Sequence, residues 1–269
     1  MTYSPFTIHY SLLTIDHSLL TIDDSRFTLM PNTYFRFKEF TVHQERCAMK
    51  VTTEACLFGA WASHYLKTDT SPKHILDIGA GTGLLSLMLA QQHSSRIDAI
   101  ELDKTAAGQC LQNFAAAPWQ ERMKVLEGDV RSFPFTQLFD VIISNPPFYE
   151  NDLSSPIEGR QLAHHSAALS LKDLMHRVRT LLTEQGKFFV LLPYKRKEDL
   201  YELAKAGGLH IVHQCNVRNS PAHPLFRLMA VLSPTPSIDK QEELFSIRDE
   251  GNNYTLEFIQ LLHPYYLNL

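Results

Sequence analysis

From His74 onward the chain alternates short apolar runs with longer segments whose apolar residues recur at helical spacing. His74–Ile78 (HILDI) reads as a buried strand closed by glycines, and Leu84–Gln92 as an apolar helix. Ile97–Leu102, Met123–Leu126 and Phe139–Ser144 read as further strands, with a helix over Lys104–Phe114 and a break at Pro118. A helical period over Ser170–Leu182 stops at Gly186, ahead of a buried strand at Lys187–Leu192. Leu200–Ala206, Leu209–Asn216 and Phe226–Leu232 complete the series, for seven strands in all. Strands separated by helices of this length predict a mostly parallel sheet in a three-layer α/β domain. Such sheets bind ligands at the carboxyl ends of their strands.

Four successive strands end in polar groups that this topology brings to one edge. LDIGAGTG (76–83) places Asp77 at a strand end and Gly79, Gly81 and Gly83 at alternate positions before a helix. Glycines there let the backbone turn tightly and approach a ligand, although the same residues serve a plain tight turn. An acidic residue ahead of the loop suits an amine-bearing or cationic ligand better than a pyrophosphate. The second strand ends in AIELD (99–103), whose carboxylates can hold a ribose diol, and the third in EGDV (127–130), where Asp129 can accept from an exocyclic amine. The fourth runs into SNPPFYEN (144–151), where two prolines remove backbone donors and stop the strand. Alone, that stretch is also compatible with a structural Asn-Pro turn.

Composition narrows the field. The chain has 269 residues, 44% hydrophobic and 20% charged, and a formal net charge of -4, so a polyanion would have to be met by a local patch. Cys47, Cys56, Cys110 and Cys215 form no C-x-x-C pair and read as free buried thiols. The histidines, including the adjacent His164 and His165, show no metal-ligand spacing, and no apolar run approaches a membrane span. Residues 4–29 form a seven-residue repeat (SPFTIHY, SLLTIDH, SLLTIDD, SRFTLM). It is too short for a coiled coil and has the wrong period for a strand. It resembles a tandem DNA repeat read in frame, and Met30 is the expected start of the functional protein.

Asp77-x-Gly79-x-Gly81-x-Gly83, Glu101, Asp129 and Asn145-Pro146-Pro147-Phe148 together resemble the class I, Rossmann-like S-adenosylmethionine-dependent methyltransferases. The resemblance implies a doubly wound, mostly parallel seven-stranded sheet with helices on both faces, and S-adenosylmethionine as cofactor. It implies that Asp77 and the glycines line the methionine moiety, that Glu101 holds the ribose hydroxyls and that Asp129 contacts the adenine. The N-P-P-F tetrapeptide is shared by enzymes that methylate a planar nitrogen, with Asn145, Pro146, Pro147 and Phe148 as catalytic residues. Phe148 would also stack on the target base.

FTVHQERCAMKVTTEACLFGAWA (40–62) and YTLEFIQLLHPYYL (254–267) extend the resemblance to the bacterial tRNA(Val) adenine-37 N6-methyltransferases, with Glu54 where an aspartate is usual. That family implies a tRNA substrate, a cytoplasmic monomer and no metal. Lys50 and Thr52 would lie over the cofactor pocket, although Lys50 also fits an ordinary solvated surface lysine. Arg160, Lys195 and Arg196 would meet RNA, although YKRK (194–197) also suits a solvated loop. The expected division is an extension over 1–29 and one methyltransferase domain over 30–269. Within it, 30–66 lies over the cofactor site, 67–235 forms the catalytic core and 236–269 supplies a C-terminal strand and helix. An rRNA guanine-N2 or a protein glutamine-N5 methyltransferase would share the N-P-P-F chemistry. The span from Met30 to His74 leaves little room for the helical domain usual in the latter, and no segment is spare for the target-recognition insertion of a DNA adenine methyltransferase. A binding module that keeps the cofactor fold without catalysis is disfavoured by the intact Asn145 and Asp77.

A chain beginning at Met30 is expected to keep its full melting temperature and activity. A large fall in melting temperature on removing residues 1–29 contradicts the non-structural reading of the repeat.

Overall fold

The computed structural model describes residues 32–68, 72–147 and 169–269. A small antiparallel hairpin, β1 (Tyr34–Arg36) and β2 (Thr41–His43), opens the chain. Helix α1 (Thr53–Thr68) starts at Thr52, whose hydroxyl accepts from the Ala55 amide at 3.3 Å and satisfies one of the helix's unpaired donors. Strand β3 (His74–Ile78), helix α2 (Leu84–Gln92), strand β4 (Arg96–Glu101) and helix α3 (Lys104–Ala115) then alternate as the apolar pattern predicts. Asp103 caps α3 by accepting from the Ala106 amide at 2.8 Å.

Strands β5 (Met123–Glu127) and β6 (Phe139–Ser144) follow, then helix α4 (Leu171–Leu181), strand β7 (Leu182–Pro193) and helix α5 (Lys197–Ala206). The chain closes with β8 (His210–Arg218), β9 (Leu225–Ser233), β10 (Gln241–Ser246) and helix α6 (Leu256–Leu262).

Eight strands form one sheet in the order β10-β8-β9-β7-β6-β3-β4-β5. Strand β9 runs antiparallel to both its neighbours, and every other pairing is parallel. The seven strands expected from the pattern are all present; β10 makes the eighth. Its sequence, QEELFS, exposes the first four residues and buries only Phe245, so an edge strand with one wet side lacks the apolar run that marks a central strand.

The sheet is covered on both faces. Residues of α1, α2, α3 and α6 pack with one side of the sheet, around Phe58, Leu87, Phe189 and Phe258, while α4 and α5 cover the other, around Leu76, Phe139, Phe188 and Leu200. Each of these large side chains is wholly enclosed, and burial of one such group contributes about 1.5–3 kcal/mol. The C-terminal segment is tied back to the front of the chain, because the Lys38 amide donates to the Tyr265 carbonyl at 2.8 Å and the buried Tyr265 hydroxyl to the Met88 carbonyl at 3.2 Å.

Gly186 plays a different part from the helix stop that the sequence suggests. Helix α4 ends five residues earlier, at Leu181, and β7 begins at once with Leu182 in extended conformation. Gly186 lies inside the strand, next to an irregularity in the pairing with β6 between Phe139 and Val141. A Cβ there would fall 2.6 Å from Cγ of the buried Leu182, so the glycine makes room for that side chain within the kinked strand.

Candidate active site at the strand ends

Asp77, in β3, is 1% exposed. Its Oδ2 accepts from the Ser86 amide at 3.2 Å and the Ser86 hydroxyl at 2.7 Å, while Oδ1 is buried without a hydrogen-bond partner. Burial pushes its pKa up to about 7, the Ser86 bonds oppose the shift, and the nearby Glu101 carboxylate adds to it. A carboxylate held half-satisfied in a closed space is costly, unless something cationic or hydrogen-bond-donating completes it.

The loop after β3 turns on glycines with φ of +71° at Gly79, +56° at Gly81 and +81° at Gly83. Side-chain atoms built on Gly79 or Gly81 would meet nothing within 4 Å, so this part of the loop borders open space. Gly83 is different, since a Cβ there would lie 2.6 Å from the Phe114 ring and 2.8 Å from the Cys110 sulfur. Two glycines thus shape a cradle, and the third lets α3 pack close. The loop is pinned to the neighbouring strand end by the Gly79 amide, which donates to the Ile100 carbonyl at 2.9 Å, and by the Gly81 amide, which donates to Glu101 Oε2 at 2.8 Å. Glu101 Oε1 accepts from the Asp103 amide at 2.9 Å. Each carboxylate oxygen of Glu101 therefore holds one backbone donor and keeps a further lone pair.

Asp129 follows β5 and is gripped by Arg131. The guanidinium donates to both carboxylate oxygens, with Nη2 to Oδ2 at 2.6 Å, and the Arg131 amide donates to Oδ1 at 2.9 Å. Those bonds hold the Asp129 pKa below the usual carboxylate range. As it stands, Asp129 is a committed acceptor, and pairing with an adenine amine would have to share or displace the arginine.

Asn145 leaves the end of β6 half-buried, with Pro146 buried and Pro147 exposed. Ser144 fixes that exit. Its hydroxyl donates to the Ile78 carbonyl at 2.8 Å, and Ser144 pairs with Ile78 across the ladder. Asn145 therefore emerges one strand spacing, about 4.8 Å, from the start of the glycine loop. Phe148 and Arg160, with His164 and His165, lie outside the described residues.

The N-terminal segment reaches this edge as well. The Arg46 amide donates to Gln109 Oε1 at 3.3 Å, which holds the 40–50 stretch against α3, the helix that follows β4. Burial, reinforced by the Glu101 carboxylate, pushes the Cys47 thiol up to about 11. Lys50 is half-buried with its ammonium bonded to the Gln44 carbonyl, and Thr52 caps α1, so both also serve the local fold. Glu54 pairs with Arg227 at 3.1 Å, joining α1 to the start of β9. Lys195 is exposed beyond β7, and Arg196 holds Asp199 at 2.5 Å one turn along α5.

Two buried amides that the sequence did not single out organise the segment. Asn113 on α3 is 1% exposed; its Nδ2 donates to the His43 carbonyl at 2.9 Å and the Thr82 carbonyl at 2.8 Å, and its Oδ1 accepts from the His43 amide at 2.9 Å. One side chain thus clips the hairpin and the glycine loop to α3. Gln44 accepts from the Val51 amide at 2.8 Å and donates to the Asn32 carbonyl at 2.9 Å. A polar residue amid apolar ones is the signal available in the sequence, but its partners lie up to 70 residues away.

The four cysteines are free and buried. Among the described residues no cluster of three or more His, Cys, Asp or Glu is placed to hold a metal ion, and no helix is long and apolar enough to cross a membrane. A cleft of about 880 Å³ opens at the opposite edge, beside Trp61, His213 and Glu243, and none of the sequence-predicted residues lines it.

Comparison with known proteins agrees with this geometry. The family described as Methyltransferase small domain matches residues 62–193. A crystal structure from Agrobacterium tumefaciens, titled a predicted O-methyltransferase, superposes with a TM-score of 0.58 over 80% of this chain and 99% of that one, at 17% identity, which establishes the methyltransferase-type α/β fold. The tRNA1(Val) (adenine(37)-N6)-methyltransferase of Phocaeicola vulgatus is 40% identical over 241 residues, 89% of this chain and 100% of that protein. That of Tolumonas auensis is 39% identical over 237 residues, 87% of this chain and 97% of its own length. With sequence likeness of that depth across the whole length of these relatives, the chain belongs to the tRNA1(Val) (adenine(37)-N6)-methyltransferase family.

Proposed function

We propose that this protein methylates N6 of adenosine 37, beside the anticodon, in tRNA(Val), using S-adenosylmethionine, and does so in the cytoplasm as a monomer. The observation that carries the reading is the orphaned, buried Oδ1 of Asp77, beside a glycine cradle that opens on free space and one strand from Asn145. These residues fit the cofactor. Asp77 would take the ammonium of its methionine part, Gly79 and Gly81 would line that part without side-chain obstruction, and Glu101 would offer its remaining lone pairs to the ribose hydroxyls. When bound, S-adenosylmethionine supplies an electrophilic methyl group on a sulfonium.

The chain's own contribution is orientation. An exocyclic amine is a poor nucleophile because its lone pair is delocalised into the ring. The Asn145 side-chain oxygen and the Pro146 carbonyl would supply two acceptors from adjacent residues directly after β6. Accepting both N–H groups of the amine favours a pyramidal nitrogen with its lone pair directed away from the ring. The prolines restrict the carbonyl's position, as catalysis by orientation requires. No strong base is needed, since the proton can leave after methyl transfer. Phe148 would supply a face for the flipped base, and Lys195 and Arg196 would contact RNA.

Incubating the protein with labelled cofactor and, separately, total tRNA, ribosomal RNA and release factor should yield N6-methyladenosine in tRNA alone. Asn145→Ala should lower kcat by about a hundredfold or more while leaving tRNA affinity unchanged. Methylated guanine in ribosomal RNA, methylated glutamine in release factor, or full activity of the alanine variant contradicts the reading.

Asp77 generates a pH dependence. Its pKa in the ligand-free fold is raised to about 7, so its contribution to stability is fully present below the ordinary carboxylate range and is lost as pH rises towards and through 7. A ligand ammonium favours the ionised form. Cofactor affinity should therefore climb, by up to about tenfold per pH unit, as pH rises towards 7 and then level off. Calorimetry at pH 6 in buffers of different ionisation enthalpy should register proton release, and Asp77→Asn should bind weakly with neither effect. A flat affinity profile in the parent protein contradicts the assignment of Asp77.

A further inference from the structure

The same sheet edge carries a second set of side chains beyond the candidate active site. Strands β3, β4, β5 and β6 end with Asp77, Glu101, Asp129 and Asn145 in or beside them. The next four positions in the sheet are β7, β9, β8 and β10, and at this edge each brings a cation: Lys195 just after β7, Arg227 near the start of the antiparallel β9, Arg218 at the end of β8 and Arg248 just after β10. The register aligns them, with Pro193 opposite Arg227 and Arg218 opposite Ser246, while the Arg248 amide donates to the Asn219 carbonyl at 2.8 Å. At about 4.8 Å per strand the four positions span roughly 15 Å.

The outer two arginines are arranged as donors. Arg218 uses its Nε on the Ser246 hydroxyl at 2.8 Å, and Arg248 lies 4.3 Å from the Tyr254 ring centroid and uses Nη1 on the Asn252 carbonyl at 2.6 Å. Among the described residues neither has a carboxylate within ion-pair distance. Asp249, the acidic neighbour of Arg248, accepts from the Asn253 amide at 2.9 Å in the following turn. Stacking on an aromatic ring holds a guanidinium plane in place and leaves its remaining N–H edge for an anion. Arg227 stacks on Phe226 at 5.2 Å and shares its charge with Glu54.

We propose that this line of cations, with Arg218 and Arg248 as its outer members, binds the phosphate backbone of the substrate RNA on the side of the active site away from the cofactor. The inference rests on the tRNA reading above and adds where the RNA runs. It also gives a chain with a formal net charge of -4 a local means of engaging a polyanion, since four of its cations share one half of one edge.

The test is the affinity for tRNA across a salt series. The proteins are the parent, Arg218→Gln with Arg248→Gln, each single change, and Arg218→Lys with Arg248→Lys. Loss of two phosphate contacts should make the slope of log affinity against log salt shallower by roughly 1.4–1.8, and each single change by about half that. The lysine pair should keep the parent slope, which a purely structural role would not require, and cofactor affinity should be unchanged throughout. Equal slopes for the glutamine pair and the parent overturn this placement while leaving the enzyme's assignment intact. A parent protein that binds no tRNA at all overturns the tRNA reading and the placement together.

Discussion

A carboxylate buried to 1% exposure with only one of its oxygens hydrogen-bonded is the constraint around which the edge of the sheet is built. Asp77 cannot sit there cheaply, and the fold tolerates it because Ser86, in α2 beyond the glycine loop, satisfies Oδ2. That bond ties the end of β3 to the start of α2 and sets the course of the loop between them. Gly79 and Gly81 adopt left-handed φ values in that loop, and their missing side chains leave open space. The vacant valence and the vacant volume come from the same short stretch.

Neighbouring strands supply the rest by register. Ser144 bonds the Ile78 carbonyl, so β6 releases Asn145 beside the loop, and Glu101 holds the Gly81 amide from the other side. Asn113 joins the glycine loop to the N-terminal hairpin through three hydrogen bonds from one buried amide. The antiparallel insertion of β9 then turns a strand's beginning towards the active edge, which brings Arg227 alongside the ends of β7 and β8. Asp77, Glu101 and Asn145 thus fall along one half of the edge, and Lys195, Arg227, Arg218 and Arg248 along the other.

Much of this was legible in the amino-acid sequence because its causes are local. The central strands are continuous apolar runs, so His74–Ile78 and Phe139–Ser144 end where the pattern places them, and the polar residues beside their carboxyl ends share an edge because the pairing is parallel. Strand β10 left no mark in the apolar pattern, because this edge strand buries one residue in six, and only the family resemblance placed a strand within 236–269. Gly186 misled because a glycine after a helix and a glycine inside a kinked strand look the same until the partner strand is known. The roles of Gln44 and Asn113, the grip of Arg131 on Asp129 and the alignment of Arg218 with Arg248 depend on which distant backbone or side-chain groups arrive beside them. Periodicity carries no record of such meetings.

The most direct test of the account concerns the partner of the orphaned oxygen. Dissociation constants would be measured for S-adenosylhomocysteine and for its analogue lacking the amino group, each with the parent protein and with Asp77→Asn. A charge-assisted hydrogen bond of this kind contributes about 1.5–3 kcal/mol, so the deaminated analogue should bind the parent roughly ten- to a hundredfold more weakly. In Asp77→Asn that difference should all but vanish, giving a coupling energy close to the whole penalty. An equal penalty in both proteins would mean that Asp77 does not meet the ligand's amine, and would contradict the account at its centre.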